Sequence, residues 1–376
     1  MSPSRDPALG LSIASHSGLA PAAIGGLARA AERAGFTAVF VAEGHGDALG
    51  LCHPVAAATS RVRVGTAVAN AALRPPVLAA KTAVQLDQAC DGRFILGLGV
   101  ANPIMNGRFG IPPFPPLAMI EEYVAVIRAV LAGQKDGYAG RLYRTGPVPL
   151  DHPPVRSGLP VYLAALGPRM LDLAGRIADG VVLNLMSPAQ AGQAAHRVRA
   201  AAAAAGRDPA CVEVVCVVHC CLSGDAQAAT AAARDVVPRY VLHSSVPRLF
   251  GEHDGIDLAP VRERLLAGDR AGATERVPQS VADAFVARGD AAACARRLDE
   301  YRASGVDLPV LFPMPVGGAW GYAETIAAFG RGQAGAPRAG GRGRARPSVK
   351  NSLSDSSPPW RRATSRRSGR STLPTR

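Results

Sequence analysis

Apolar residues along the chain fall into short unbroken runs separated by stretches of helical period. The runs are Leu9–Ala14, Thr37–Ala42, Val62–Ala69, Phe94–Leu98, Val161–Ala164, Gly180–Leu185, Val212–Leu222 and Leu308–Phe312. A run without polar alternation suits a strand buried on both faces, as in a parallel sheet. Between the runs, apolar positions recur every three or four residues, the spacing of a one-sided helix. Pro21 opens one such segment, with Ile24, Leu27, Ala28 and Ala31 on one face and Gly35 closing it. Further helices are predicted over Ala48–Thr59, Pro75–Cys90, Leu117–Leu131, Pro168–Ala178, Pro188–Ala205, Ala291–Ser304 and Trp320–Phe329, with Asp290 as the cap of the segment that follows it. The Pro-rich stretch Asn102–Pro116 reads as loop, 136–158 as an irregular excursion and 225–287 as helical excursions. Eight strand–helix units predict an α/β fold, a single (β/α)8 TIM barrel with insertions over residues 1–330. The competing architecture, a doubly wound open sheet, usually carries a glycine-rich phosphate loop after its first strand. Here that strand runs into Ala14–Pro21 (ASHSGLAP), which has no such loop.

Charge changes the picture only at one end. The formal net charge is +13, and residues 331–376 hold +11 of it, in a Gly-, Ser-, Pro- and Arg-rich segment without apolar periodicity. That composition predicts a disordered basic tail. The remaining body is close to neutral and has no broad electrostatic reason to bind polyanions. The tail has one aromatic residue, Trp360, and so little on which bases could stack. No nucleic-acid partner is therefore expected. Seven cysteines, several within apolar runs, read as small buried residues in a reducing compartment. With no signal peptide and no membrane-length apolar segment evident, the expected location is the cytoplasm and no membrane partner is expected.

In a barrel of this kind the chemistry sits on the loops that follow the strands. After the second strand comes Glu43-Gly44-His45-Gly46-Asp47, where an imidazole titrating near neutral pH lies beside a carboxylate. His45 and Glu43 are the catalytic candidates, although Glu43 or Asp47 could equally cap the next helix. After the third strand, Gly65–Asn70 is built of small residues that let a planar ring approach the backbone. After the fourth, Gly97-Leu98-Gly99 permits close approach of a ligand or of a neighbouring strand. After the fifth, Ala165-Leu166-Gly167-Pro168 leads into a helix whose free N–H groups suit a phosphate. The sixth strand ends with Asn184. The seventh carries Cys216, His219 and Cys220, but strand alternation puts His219 on the face opposite the two cysteines, and no second pair at finger spacing exists. No metal site is expected, and His219 is as readily a satisfied core residue as a pocket residue.

Three stretches carry a family resemblance: Gly65–Pro76 (GTAVANAALRPP), Gly92–Gly99 (GRFILGLG) and Pro160–Asn184 (PVYLAALGPRMLDLAGRIADGVVLN). Over about residues 8–330 the chain resembles the luciferase-like barrel family, especially its coenzyme F420-dependent branch and the methylenetetrahydromethanopterin reductase-like enzymes within it. The resemblance implies an oxidoreductase that transfers hydride between a deazaflavin and a small organic substrate. It implies a ring packed on a bulge with a non-prolyl cis peptide between Ala67 and Val68, contact from Asn70, a cofactor phosphate on Leu166 and Gly167, and Ala165 in the same cofactor-binding stretch. Gly99 joins this cofactor set. Glu43 matches an acidic residue at the ring edge, and His45 lies near the family's proton donor. A homodimer is common in the family and is expected here. One departure matters: the sugar-phosphate dehydrogenases of the family place a glutamate directly after the strand-four G-x-G, where this chain has Val100. Reduced-FMN monooxygenase chemistry is the alternative within the family. A nucleic-acid or acidic partner of the tail, and a cofactor-binding barrel without turnover, are the readings from other classes.

Overall fold

A computed structural model describes residues 7–101, 103–156, 158–242 and 255–330. The basic segment 331–376, and with it the expected disorder and domain boundary, lies outside the described residues. Eight parallel strands close on themselves: β1 (Gly10–Ala14), β2 (Ala38–Ala42), β3 (Arg63–Thr66), β4 (Phe94–Gly99), β5 (Val161–Ala164), β6 (Gly180–Asn184), β7 (Glu213–Leu222) and β8 (Leu308–Pro313). Each pairs with its neighbour in number, and β8 pairs with β1, with Gly10 opposite Val310. The fold is a (β/α)8 TIM barrel, as the alternation of runs and helical segments predicts.

The unbroken apolar runs follow from this closure, because both faces of every strand are covered. Odd and even positions feed separate cores. Leu11, Val39, Leu96, Leu163, Leu183 and Val218 pack outward against the ring of helices. Phe40, Ile95, Tyr162, Val182, Val215 and Val310 fill the barrel interior. A fully buried aromatic such as Phe40 contributes on the order of 3–5 kcal/mol against truncation to alanine. Helix starts follow local chemistry. Asp47 accepts from the Leu49 N–H at 3.0 Å, Ser187 and Gln190 form a reciprocal capping box, and Asp290 accepts from the Ala293 N–H at 2.8 Å.

At the N-terminal end of the barrel, three inward-facing polar side chains form a closed lock. Arg63 of β3 donates twice to Glu213 of β7, at 2.7 and 2.9 Å, and the Tyr162 hydroxyl of β5 donates to the same carboxylate. The Arg63–Glu213 pair joins strands four positions apart around the barrel.

Five segments depart from the sequence reading. The run Val62–Ala69 is interrupted: β3 stops at Thr66 and resumes as the two residues Ala69–Asn70. The Pro-rich loop contains a short helix, Pro103–Arg108, and the excursion at 136–158 contains a hairpin pairing Tyr138–Ala139 with Arg144–Thr145. Val286–Gly289 is a strand beside the upper half of β7, pairing with His219–Leu222 beyond the reach of β6. The last helix begins at Tyr322, whereas Trp320 belongs to a small hairpin with Pro315. All are too short to show a period, and tertiary pairing decides them.

The barrel mouth as a candidate cofactor site

The break in β3 is a cis peptide between Ala67 and Val68, neither of them proline, at the position the resemblance implies. Glycines in β4 make room for it. A Cβ on Gly97 would lie 1.9 Å from the Thr66 carbonyl oxygen, and one on Gly99 would lie 2.7 Å from Val68 Cγ2. The G-x-G therefore serves approach by the neighbouring strand: Gly99 lodges the Val68 side chain and supports the bulge from below. Thr66 ties the same strands through its hydroxyl, which donates to the Gly97 carbonyl at 2.6 Å and accepts from the Gly97 N–H at 3.1 Å.

Above the bulge, Asn70 is buried and both ends of its amide are bonded. Its Oδ1 accepts from the Ala72 N–H at 3.0 Å, and its Nδ2 donates to Asn106 Oδ1 at 3.0 Å. Asn106, on the short helix hidden in the Pro-rich stretch, donates in turn to the Val100 carbonyl at 2.9 Å. Glu43 is held just as firmly. Arg74 donates to it through both terminal nitrogens, at 2.8 and 3.1 Å, and the Asn70 N–H donates at 2.6 Å. Arg74 also reaches Asp47 at 2.5 Å. In this arrangement the Glu43 carboxylate acts as an acceptor that clamps the exit of the bulge to the loop after β2.

His45 is exposed on that loop, with its ring centroid 5.7 Å from that of His16. His16 follows β1, and its other neighbour is Trp320, at 5.7 Å edge-on. Partial burial, then the adjacent His45 and Arg239, hold the His16 imidazole below its ordinary pKa. The loops after β1 and β2 are clasped together: the Ser15 hydroxyl accepts from the Gly44 N–H at 2.7 Å, and a Cβ on Gly44 would strike His16 Nδ1 at 2.3 Å. On the far side of β4, Ala165 is buried, while Gly167 caps the helix Pro168–Ile177 and a Cβ placed on it would meet nothing within 4 Å. In the first turn of that helix Pro168 has no N–H and Met170 donates to the Gly167 carbonyl at 3.1 Å, so the Arg169 N–H is the one left without an intrahelical acceptor. The opening at Gly167 suits an anionic group.

Opposite the bulge, His219 of β7 is fully buried and faces inward. Its Nε2 lies 3.0 Å from the Tyr240 hydroxyl, and Phe312 and Phe285 pack on its ring. Burial, with Arg239 as a smaller contribution, lowers its pKa to about 3, so the ring is neutral. Among the described residues, its Nδ1 and the Oδ1 of Asn184 at the end of β6 have no hydrogen-bond partner. Cys216 and Cys220 point the other way, into the outer core, as strand alternation requires. Among the described residues no group of three His, Cys, Asp or Glu side chains could hold a metal ion, and no helix is long and apolar enough to cross a membrane.

The mouth thus gathers Glu43, His45, Ala67, Val68 and Asn70 around the bulge, with Gly99 beneath it and Ala165, Leu166 and Gly167 two strands along. Sequence reasoning missed His16, Asn106, Tyr240 and the role of Arg74. His16 was findable, since it directly follows the first strand; Tyr240 and Asn106 lie in segments without a readable period.

Comparison with known proteins agrees with this geometry. The family model for luciferase-like monooxygenases matches residues 9–308. A 5,10-methylenetetrahydromethanopterin reductase of Methanolobus tindarius is 32% identical over 287 residues, covering 74% of this chain and 86% of that protein. The same-named enzyme of Archaeoglobus fulgidus is 28% identical over 267 residues, covering 69% and 79%. Among solved structures, the coenzyme F420-dependent tetrahydromethanopterin reductase of Methanopyrus kandleri superposes with a TM-score of 0.74 at 26% identity, covering 82% of this chain and 93% of that one. An F420-dependent secondary alcohol dehydrogenase, at 18% identity and a TM-score of 0.68, shares the fold. The chain belongs to the luciferase-like monooxygenase family.

Proposed function

We propose that this protein is a coenzyme F420-dependent oxidoreductase that moves a hydride between the deazaflavin and a small organic substrate. The observation that carries this reading is the bulge: β3 breaks at Ala67 and Val68, and this break, propped by Gly97 and Gly99, presents a small-residue wall to the mouth of the barrel. Relatives and neighbours named for F420 or methanopterin reduction support the choice of cofactor. The residues present fit such a group. Ala67 and Val68 are partly accessible and form one wall, and the helix opening at Gly167 offers backbone donors to a phosphate. When bound, F420 supplies two electrons as hydride. The chain's own part is to orient the ring against the bulge, anchor its tail and keep water from the reacting carbon. Glu43, clamped by Arg74, fixes the bulge, and His45 and His16 are the titratable groups on the open rim.

Equilibrium titration distinguishes this from the flavin reading. Tight F420 binding with weak FMN binding is expected. Tight binding of reduced FMN with oxygen consumption, and no F420 binding, would instead make the protein a flavin monooxygenase of the same family.

A further inference from the structure

Directly after the strand-four G-x-G this chain has Val100, which can carry no proton, and Glu43 is tied down by Arg74. A hydride delivered to a carbonyl or imine carbon still requires a proton for the neighbouring heteroatom. The groups that could give or place one stand on the wall opposite the bulge. β7 lies four strands from β3 in either direction around the closed sheet, so a ring lying on Ala67 and Val68 turns its open face toward it. From that wall the Tyr240 hydroxyl projects within 3.0 Å of His219 Nε2. His219 is fully buried in an aromatic setting and Asn184 bonds the same Tyr240 hydroxyl; among the described residues His219 Nδ1 and Asn184 Oδ1 have no partner. Buried polar groups are ordinarily satisfied, so two such atoms on residues that share the Tyr240 hydroxyl call for an explanation, and a ligand that completes the set provides one.

We propose that Tyr240 is the proton donor to the substrate, that His219 and Asn184 position its hydroxyl, and that the substrate is a neutral carbonyl or imine compound whose reacting heteroatom rests on this hydroxyl. This rests on the F420 reading above. With F420 bound and reduced, a hydride from it would form the new C–H bond while the π pair of the C=O or C=N bond moves to the heteroatom. The Tyr240 O–H proton then passes to that atom, and water returns a proton to the phenolate. Burial pushes the Tyr240 phenol up to about 12, so it is protonated at neutral pH. Arg239 and Asn184 work against that rise and favour the phenolate left by transfer. His219 is neutral and Arg239 is paired with Asp235 at 2.8 Å, so neither offers a free cation to a carboxylate, and Phe312, which packs on His219, is 6.1 Å from the Trp320 ring. The compound class is therefore uncharged at its reacting end.

Isobutyramide, an unreactive stand-in for a carbonyl, provides the test. It is titrated into the F420-loaded full chain by calorimetry, with ¹⁵N-histidine NMR following the ring nitrogens of His219. Binding that shifts the His219 signals is expected in the wild type. Tyr240→Phe should weaken binding at least tenfold while leaving the F420 Kd within twofold. His219→Gln, which keeps a polar tip near the hydroxyl, should weaken it less than Tyr240→Phe does. In parallel, oxidation of reduced F420 by cyclohexanone and by 1-pyrroline tests turnover, and a loss of about a hundredfold in kcat is expected for Tyr240→Phe. The proposal is overturned if the loaded wild type neither binds isobutyramide nor turns over either probe, or if Tyr240→Phe changes neither quantity. Absence of F420 binding in the wild type would defeat the cofactor reading itself, a separate outcome.

Discussion

The two ends of the barrel interior use the same strands in opposite ways. At the N-terminal end, β3 and β7 are joined by Arg63 and Glu213, with Tyr162 from β5 completing the carboxylate's contacts. At the C-terminal end, the same two strands face each other as a bare bulge and a wall that includes His219, whose Nδ1 has no partner among the described residues. A satisfied polar network specifies a structure, whereas open valences held in a rigid frame are available to a ligand. The difference shows which end holds the barrel together and which end is left for chemistry.

Mutations sharpen that contrast. Gly97→Ala is expected to have the largest effect, because the new Cβ falls 1.9 Å from a backbone oxygen of β3 and only backbone movement relieves it. A loss of about 3 kcal/mol or more in denaturant unfolding is expected, by the overpacking rule at its upper end. Glu213→Ala should cost about 2–4 kcal/mol by leaving Arg63 without its partner, a figure reduced from the fully buried case because both side chains keep some solvent contact. Its F420 affinity should stay within twofold of wild type. A large loss of binding there would erase the proposed division between the ends.

Gly99→Ala should reverse that pattern. Its Cβ meets the end of the Val68 side chain, so the protein loses only about 1–2 kcal/mol of stability, while F420 binding weakens by tenfold or more as the bulge shifts. Unchanged affinity would detach the bulge from the cofactor. The last effect concerns acid. The His219 pKa is about 3 in the folded chain, against an ordinary value of about 6.5 when unfolded. Across that window the unfolded state binds the extra proton, so stability contributed by neutral burial falls as pH drops from about 6.5 toward 3. His219→Gln should show a shallower acid decline than wild type over this range, measured by urea unfolding at a series of pH values. Parallel declines would mean that the buried ring does not titrate in this way.

Much of the fold was legible because burial on both faces leaves a continuous apolar run, and Val161–Ala164 is a strand with the bounds the sequence suggests. The mouth was legible only in part. Position after a strand pointed to Glu43, His45 and Gly167. It could not reveal that Glu43 is paired with Arg74 across 31 residues of sequence, because that contact depends on how two loops fold over each other. Gly99 carried a signal of close approach without saying what approaches, and the structure supplies Val68. Tyr240 was hidden for a different reason. It lies past the end of the helix Ala226–Val236, and nothing local marks it as the partner of His219, a full strand and helix away.

The most direct measurement is a crystal structure of the full chain with coenzyme F420 bound. The ring should lie with one face on Ala67 and Val68 and the other toward Tyr240, and the cofactor phosphate should accept from the N–H groups at Leu166 and Gly167. F420 bound elsewhere, or with its reactive face turned away from β7, would contradict the account.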